Sequence, residues 1–359
     1  MRIAGGTLDI RDLRRLGLPL VHGGFDLFLG TRWLRHPLAL TWAVVEQCPL
    51  RCRHCDMKPR SGPRRDPLEL ARRVARSGVR WVSLIGGEPL LLRELPDVLL
   101  LLKRSDKFVS LGTSGAGLAE HLDELVQASL DLLVVSVDGL RPQDHDTFRN
   151  RPGLLQEIEA SVERLHHRKG RHPQLIIRVT LHRDNLEDIP AIVARWRQRA
   201  DRVVLQAAMN NSIHPVRDHG VLLRAEDLPR LRRVLKALGN QWPEYRRRYY
   251  ALLPSVLEHP VAAATDFRCL VVPSLSAVLM PDGTVLACYG RPESVLGNLA
   301  EEEMENLWRG PTAQQVRQAM ESKQRSCFCW EAIGMDGLDL LPWLKRTRAV
   351  SSLLRSLAH

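Results

Sequence analysis

Cys48-Pro49-Leu50-Arg51-Cys52-Arg53-His54-Cys55 packs three thiols into eight residues, spaced C-x3-C-x2-C. Just upstream, Leu38-Ala39-Leu40-Thr41-Trp42-Ala43-Val44-Val45 is an apolar run of strand length, so the cysteines fall on the loop after a buried strand. Three thiolates hold three irons of a four-iron cluster and leave the fourth open to chelation by a small molecule; a fully ligated cluster has no such position. On spacing alone the alternative is zinc, which takes four ligands in structural sites, with His54 as the fourth. His54 directly precedes Cys55, which makes simultaneous ligation awkward.

Composition sets the frame around this loop. A chain of 359 residues suggests two domains, or one barrel with an appendage. With 44% hydrophobic and 26% charged residues it is an ordinary globular sequence, which argues against wholesale disorder. There is no uninterrupted apolar run of spanning length, and Met1–Gly6 lacks the apolar core of a signal peptide, so the cytoplasm is the expected compartment. The seven cysteines, Cys48, Cys52, Cys55, Cys269, Cys288, Cys327 and Cys329, are clustered and odd in number, which favours metal ligation or catalysis over disulfides. The net charge of +11 rests on 45 Arg and only 7 Lys, a skew that GC-rich coding produces by itself. It permits an anionic partner without naming one, and nucleic acid is not among the expected partners.

From Leu38 to Gln206 the chain alternates strand and helix. Strands are expected at 38–45, 81–85, 108–113, 131–137, 175–181 and 202–206. Helices are expected at 67–77, 95–104, 118–128, 154–168 and 186–199. Six parallel strands with helical crossovers make an α/β layer or a partial barrel, whose ligands gather at the carboxyl ends of the strands. Residues 227–238 and 243–252 read as connecting helices. Met209–Gly220, with Asn210, Asn211 and His214, is either a substrate-facing or a solvated loop.

The cysteine spacing after a first strand resembles the signature of the radical S-adenosylmethionine (SAM) superfamily. Four further segments, in matching order, carry the resemblance. Gly86-Gly87-Glu88-Pro89 is similar to the GGEP motif, Thr113-Ser114-Gly115 stands where the family often has T-N-G, Ser136-Val137-Asp138-Gly139 is similar to S-x-D-G, and His145-Asp146-Thr147-Phe148-Arg149 to H-D-x-x-R. The resemblance implies a partial (β/α)6 TIM-type barrel within the α/β class and a [4Fe-4S] cluster on Cys48, Cys52 and Cys55. It also implies SAM bound by the backbone of Gly86–Pro89 and by Thr113, Ser136, Asp138 and Arg149. The implied activity is reductive cleavage of SAM to a 5′-deoxyadenosyl radical that abstracts hydrogen, with flavodoxin or ferredoxin as the reductant.

A second cysteine group follows. Pro281-Asp282-Gly283 is a turn between two short apolar runs, so 278–287 reads as a hairpin that ends near Cys288. Cys269-x13-Gly283-x4-Cys288, then Gly297-Asn298-Leu299, then Cys327-Phe328-Cys329 resembles the SPASM and shorter twitch domains, which carry auxiliary iron–sulfur clusters. Four cysteines match one auxiliary [4Fe-4S] cluster in a small C-terminal α+β domain. The closing C-x-C departs from the expected C-x2-C, and a structural zinc site of four cysteines is the alternative reading. The expected organisation is an N-terminal extension at 1–37, the barrel at 38–225, a helical connector at 226–260, the auxiliary domain at 261–335 and an amphipathic tail at 336–359. That tail (Trp343, Leu344, Leu353 and Leu354 against Lys345, Arg346 and Arg348) packs on the barrel or touches a membrane surface.

An auxiliary cluster can accept the electron left on a substrate radical, so oxidative modification of a peptide or small molecule is the leading reading. The lack of an evident peptide-recognition domain in 1–37 weighs against a peptide. A redox-neutral transferase or epimerase acting on a lipid-linked or sugar substrate is the alternative within enzymes. The competing class is an inactive metal-bound module for RNA or protein. No catalytic acid or base is assigned; Tyr289, beside Cys288, is the nearest candidate.

Overall fold

Leu40, Trp42 and Val44 belong to the main core between sheet and helices, while Ala43 lies in a second cluster on the sheet's other face. A strand buried on both faces is the interior strand of a parallel sheet, which is why its sequence is continuously apolar. In the computed structural model this strand is β1, Ala39–Val45. The structure describes residues 36–57, 64–168, 170, 172–208, 218–239, 250–251, 253–255, 257–258, 276–288 and 292–321. The expectations for 1–35, 209–217 and 243–249, for Cys269, Tyr289, Cys327 and Cys329, and for the tail fall outside these residues.

The remaining parallel strands are β2 (Trp81–Gly86), β3 (Phe108–Thr113), β4 (Leu132–Ser136), β5 (Gln174–Leu181) and β6 (Arg202–Ala207). Between them run α1 (Pro67–Arg76), α2 (Leu95–Arg104), α3 (Leu118–Gln127), α4 (Pro142–Arg149), α5 (Leu154–His166) and α6 (Ile189–Trp196); α7 (Leu228–Leu238) follows β6. Helix α1 shows how locally these elements are set. Asp66 caps it by accepting from Leu68 N at 2.9 Å, Pro67 opens it, Glu69 lies in its first turn, and Arg73 and Arg76 lie in its last. The helix expected over 186–199 divides into a 3-10 turn at Leu186–Asp188 and α6, because Pro190 starts a helix but cannot continue one. Helix α7, expected as part of a connector, buries Leu228, Leu231, Leu235 and Leu238 and packs on α6.

The sheet does not end at β1. Strands β7 (Ser276–Leu279), β8 (Thr284–Leu286) and β9 (Val295–Asn298) complete one nine-stranded sheet, ordered β6-β5-β4-β3-β2-β1-β7-β8-β9. Strand β7 runs parallel to β1, with Ala39 opposite Ser276 and Trp42 opposite Leu279; β8 and β9 continue antiparallel. The expected hairpin is therefore present, and it extends the barrel sheet at the strand that leads to the cysteines. The sheet is open, with β6 and β9 at its ends.

Helices α8 (Met304–Arg309) and α9 (Pro311–Glu321) follow β9. Their acidic approach meets α1. Arg73 and Arg65 face Glu303 and Glu301 at 3.5 Å, and Glu305 accepts from Gly78 N at 2.8 Å. Among the described residues no helix is long and apolar enough to cross a membrane.

Candidate active site

The carboxyl ends of β1 to β5 bring the sequence motifs to one end of the sheet, where the dipoles and loops of an α/β layer collect ligands. Cys48, Cys52 and Cys55 are free thiols, each half-buried, with Cys55 N bonded to Cys52 O at 3.1 Å in a tight turn. Burial pushes Cys48 up to about 12, with Glu88, Cys52 and Cys55 adding to the rise; burial likewise raises Cys52 and Cys55. Three thiols so placed resist ionisation unless a cation takes the proton's place.

Among the described residues no three His, Cys, Asp or Glu side chains converge as a single metal ion requires. The ring of His54 stacks on Phe148 at 4.9 Å, within 7° of parallel, and Phe148 stacks in turn on His182 at 4.0 Å. These contacts pin the cysteine loop through His54 to α4 and to the loop after β5. Arg53 adds two ties, its N–H to Phe148 O at 2.9 Å and its guanidinium to Asp184 at 3.0 Å.

Gly86 and Gly87 let the end of β2 touch this loop. A Cβ on Gly86, at φ +145°, would lie 2.2 Å from Val45 O, and one on Gly87 would lie 2.2 Å from Gln47 O. Gly87 N and Glu88 N donate to Val45 O and Gln47 O, both at 2.8 Å. Those donors are spent, so the turn's carbonyls are the groups of the right polarity for an ammonium ligand. Glu88 is fully buried and faces inward. Its carboxylate accepts from Thr113 Oγ1 at 2.7 Å, Ser114 N at 2.8 Å, Ser114 Oγ at 2.5 Å and Leu90 N at 3.2 Å. Burial raises its pKa against those four donors. Thr113 also accepts from Gly115 N at 2.9 Å, so its hydroxyl joins β2 to β3. Pro89 opens the 3-10 turn Pro89–Leu91 that follows.

Asp138 is the second hub. Its carboxylate takes Arg149 Nε at 2.6 Å and Thr180 N at 2.5 Å and forms an ion pair with Arg149 Nη2. Its N–H reaches His145 Nδ1 at 3.1 Å, and its carbonyl accepts from Asn185 Nδ2 at 2.9 Å. Burial opposes its charge, yet Arg149 holds Asp138 below the usual carboxylate range. His145 accepts at Nδ1, so its proton sits on Nε2, and burial pushes its pKa down to about 4. Arg149, at the end of α4, keeps its charge despite burial through Asp138 and Cys52, and its Nη1 lies 3.9 Å from Cys52 Sγ.

Of the residues expected to bind SAM, Glu88 bonds Thr113, Ser114 and Leu90, and Asp138 bonds Arg149 and Thr180, while Arg149 also lies beside Cys52. Ser136 ends β4, on the face opposite the core residues Leu133 and Val135. Directly across from it in β5 stands half-buried Arg178. Sequence reading passed over Arg178, although a charge inside the otherwise apolar run Leu175–Leu181 was the signal. Cys288 is buried just beyond β8, where Ser294 Oγ accepts from its N–H at 3.0 Å.

Comparison with known proteins places two domains on the chain. Residues 42–195 match the radical SAM superfamily model, and residues 269–330 match the SPASM iron–sulfur cluster-binding domain. The chain carries a radical SAM domain followed by a SPASM domain. The chain is 33% identical over 129 residues to a probable GTP 3′,8-cyclase of Archaeoglobus fulgidus, covering 34% of this chain and 42% of that protein. It is 29% identical over 168 residues to the PqqA peptide cyclase of Xanthomonas axonopodis pv. citri, covering 44% of each. The radical SAM chain thus spans less than half the length of either curated relative. In fold it is similar to Streptococcus suis SuiB bound to its precursor peptide SuiA, with a TM-score of 0.58 and 14% identity over 88% of this chain and 74% of that one. The two matched domains bring a SAM-binding [4Fe-4S] cluster and an auxiliary iron–sulfur cluster to this radical SAM chain.

Proposed function

We propose that this protein cleaves SAM reductively and uses the product to modify a peptide side chain oxidatively, with the auxiliary cluster as the electron's destination. The observation that carries the reading is the joining of the segment leading into Cys48 to the Gly86–Glu88 turn by two 2.8 Å hydrogen bonds, from Gly87 N to Val45 O and from Glu88 N to Gln47 O. A thiol set for three irons is thereby seated against carbonyls suited to an ammonium. When bound, the reduced cluster and SAM together supply a carbon-centred radical. The chain's own residues do the rest. Cys48, Cys52 and Cys55 hold the irons, and the Gly86–Glu88 carbonyls receive the methionine ammonium. Ser136 and Arg178 meet the carboxylate or ribose oxygens, and Glu88 and Asp138 keep the strand ends in register.

Cys269, Cys288, Cys327 and Cys329 are the ligands proposed for the auxiliary cluster. The PqqA peptide cyclase and the SuiB–SuiA complex support a peptide as substrate. A flavodoxin or ferredoxin as reductant and a cytoplasmic setting complete the reading.

The test is anaerobic. The chain is reconstituted with iron and sulfide, reduced with dithionite in the presence of SAM, and assayed for 5′-deoxyadenosine. About eight irons per chain and steady release of 5′-deoxyadenosine are expected. Replacing Cys48, Cys52 and Cys55 by Ala should abolish release, and Cys288→Ala should spare cleavage more than product formation. Zinc in place of iron, with no nucleoside formed, would leave a binding module.

A further inference from the structure

The hydrogen bonds around Asp138 have an order that SAM binding does not require. A buried carboxylate, a buried guanidinium and a cluster thiol stand in line: Asp138, Arg149, Cys52. Arg149 Nε and Nη2 face Asp138, and Nη1 faces Cys52 Sγ at 3.9 Å. Asp138 cannot follow Arg149 if it moves, because Thr180 N, His145 and Asn185 hold its carboxylate, N–H and carbonyl. Arg149 is itself fixed, since the end of α4 is tied to the cysteine loop by the bond from Arg53 N to Phe148 O. The pair is almost wholly buried, 8% exposed at Arg149 and 0% at Asp138, so its charges act with little screening. By contrast, the Arg53–Asp184 pair on the same loop is 39% and 50% exposed and acts weakly.

We propose that Arg149 is a positioning residue that sets the reduction potential of the cluster on Cys48, Cys52 and Cys55, and that Asp138 limits how much of its charge the cluster feels. Cluster potentials follow hydrogen bonds to the ligand sulfurs, nearby charge and burial. Reduction adds one negative charge to the cluster. A fixed cation beside one ligand sulfur favours the reduced state, and a fixed anion behind that cation opposes it. The chemistry needs a reducible cluster that remains a strong reductant, and two opposed buried charges hold the potential between those demands.

The inference rests on the proposed reading of the site, and the experiment separates the two. The parent, Arg149→Gln, Arg149→Lys, Asp138→Asn and Arg149→Gln/Asp138→Asn chains are reconstituted anaerobically and titrated potentiometrically with dithionite. The reduced cluster is followed by its EPR signal, and the SAM-site signal is identified as the one that changes when SAM is added.

Arg149→Gln should move the midpoint potential to more negative values and Asp138→Asn to less negative ones. Arg149→Lys should stay near the parent, and the double substitution should fall between the singles. A purely structural role predicts loss of iron, or shifts of one sign, in both single variants. Equal midpoints in the parent and Arg149→Gln at full iron content would overturn the proposal, as would shifts of the same sign. If Arg149→Gln holds no iron, the remaining singles decide: a displaced Lys midpoint with an unmoved Asn midpoint refutes it. A parent chain without any SAM-sensitive signal refutes the proposed function instead.

Discussion

Adding one methyl group at Gly87 should disable the site without touching a ligand. In Gly87→Ala the new Cβ would stand 2.2 Å from Gln47 O and 2.6 Å from Gln47 C and Glu46 O. All three are backbone atoms of the segment that leads into Cys48, so no side chain can swing away. Ordinary contact begins near 3.4 Å, so the loop must withdraw by about 1 Å. That withdrawal stretches the 2.8 Å bond from Glu88 N to Gln47 O. Overpacking of this kind costs ~1–3 kcal/mol, and the lost hydrogen bond adds ~1 kcal/mol. A fold of this size tolerates that. The chemistry does not, because a 1 Å misplacement costs roughly 10²-fold in rate.

The assay measures iron and sulfide per chain, the SAM-induced change in the EPR spectrum, and the rate of 5′-deoxyadenosine release. Gly87→Ala should fold, bind SAM poorly and release nucleoside about 100-fold more slowly. Gly220→Ala is the control. At φ +75° it has nothing within 4 Å of a new Cβ, so it should lose only ~1 kcal/mol of stability and keep its rate. A Gly87→Ala chain with parental iron content and a rate within about twofold of the parent would refute the account of why the two glycines are there.

Three other outcomes are expected. Arg178→Ala removes the cation opposite Ser136 and should weaken SAM binding by about 10- to 100-fold, read by equilibrium binding to the reconstituted chain, with iron content unchanged. His145, whose folded pKa is about 4 against an ordinary 6.5, binds fewer protons folded than unfolded between those values, so its share of stability is intact above pH 6.5 and fades as pH falls toward 4. Urea titration of the cluster-free chain should accordingly show a drop between pH 8 and pH 5 that is about 2 kcal/mol smaller in His145→Asn than in the parent. Arg73→Ala should cost under ~1 kcal/mol at low salt and nothing measurable at 1 M salt, because its pairing with Glu303 is solvent-exposed; thermal melts at both salt levels check it.

The parallel half of the fold was legible because its strands are buried on both faces and its helices carry their own start signals. Strand β3 and helix α2 occupy the expected residues, and the other barrel strands differ by one or two at their ends. Helix α4 was missed because it is short and polar, yet Pro142 at its first turn was a usable signal. The pairing of β7 with β1 joins Ala39 to Ser276, and no local pattern encodes a contact across so much chain. The motifs gather at one end of the sheet, but the hydrogen bonds among them could not be read from spacing. Thr113 bonds Glu88, Asp138 accepts from Thr180 N, and Arg149 lies beside Cys52, contacts between segments far apart in the sequence. Spacing left zinc open, and the radical SAM match over residues 42–195 decides for iron–sulfur.

Anyone trimming this chain should look first at what lies beside Ala39–Val45. Its left-hand neighbour is β2, but its right-hand neighbour is supplied by Ser276–Leu279. A fragment cut before residue 276 would bare the edge of β1 along Ala39–Trp42, which β7 otherwise pairs, leaving open N–H and C=O groups as a ready template for another copy to dock on. The minimal catalyst such a cut is meant to deliver would tend to self-associate, since Ser276–Leu279 shields the ribbon from which the thiol loop hangs.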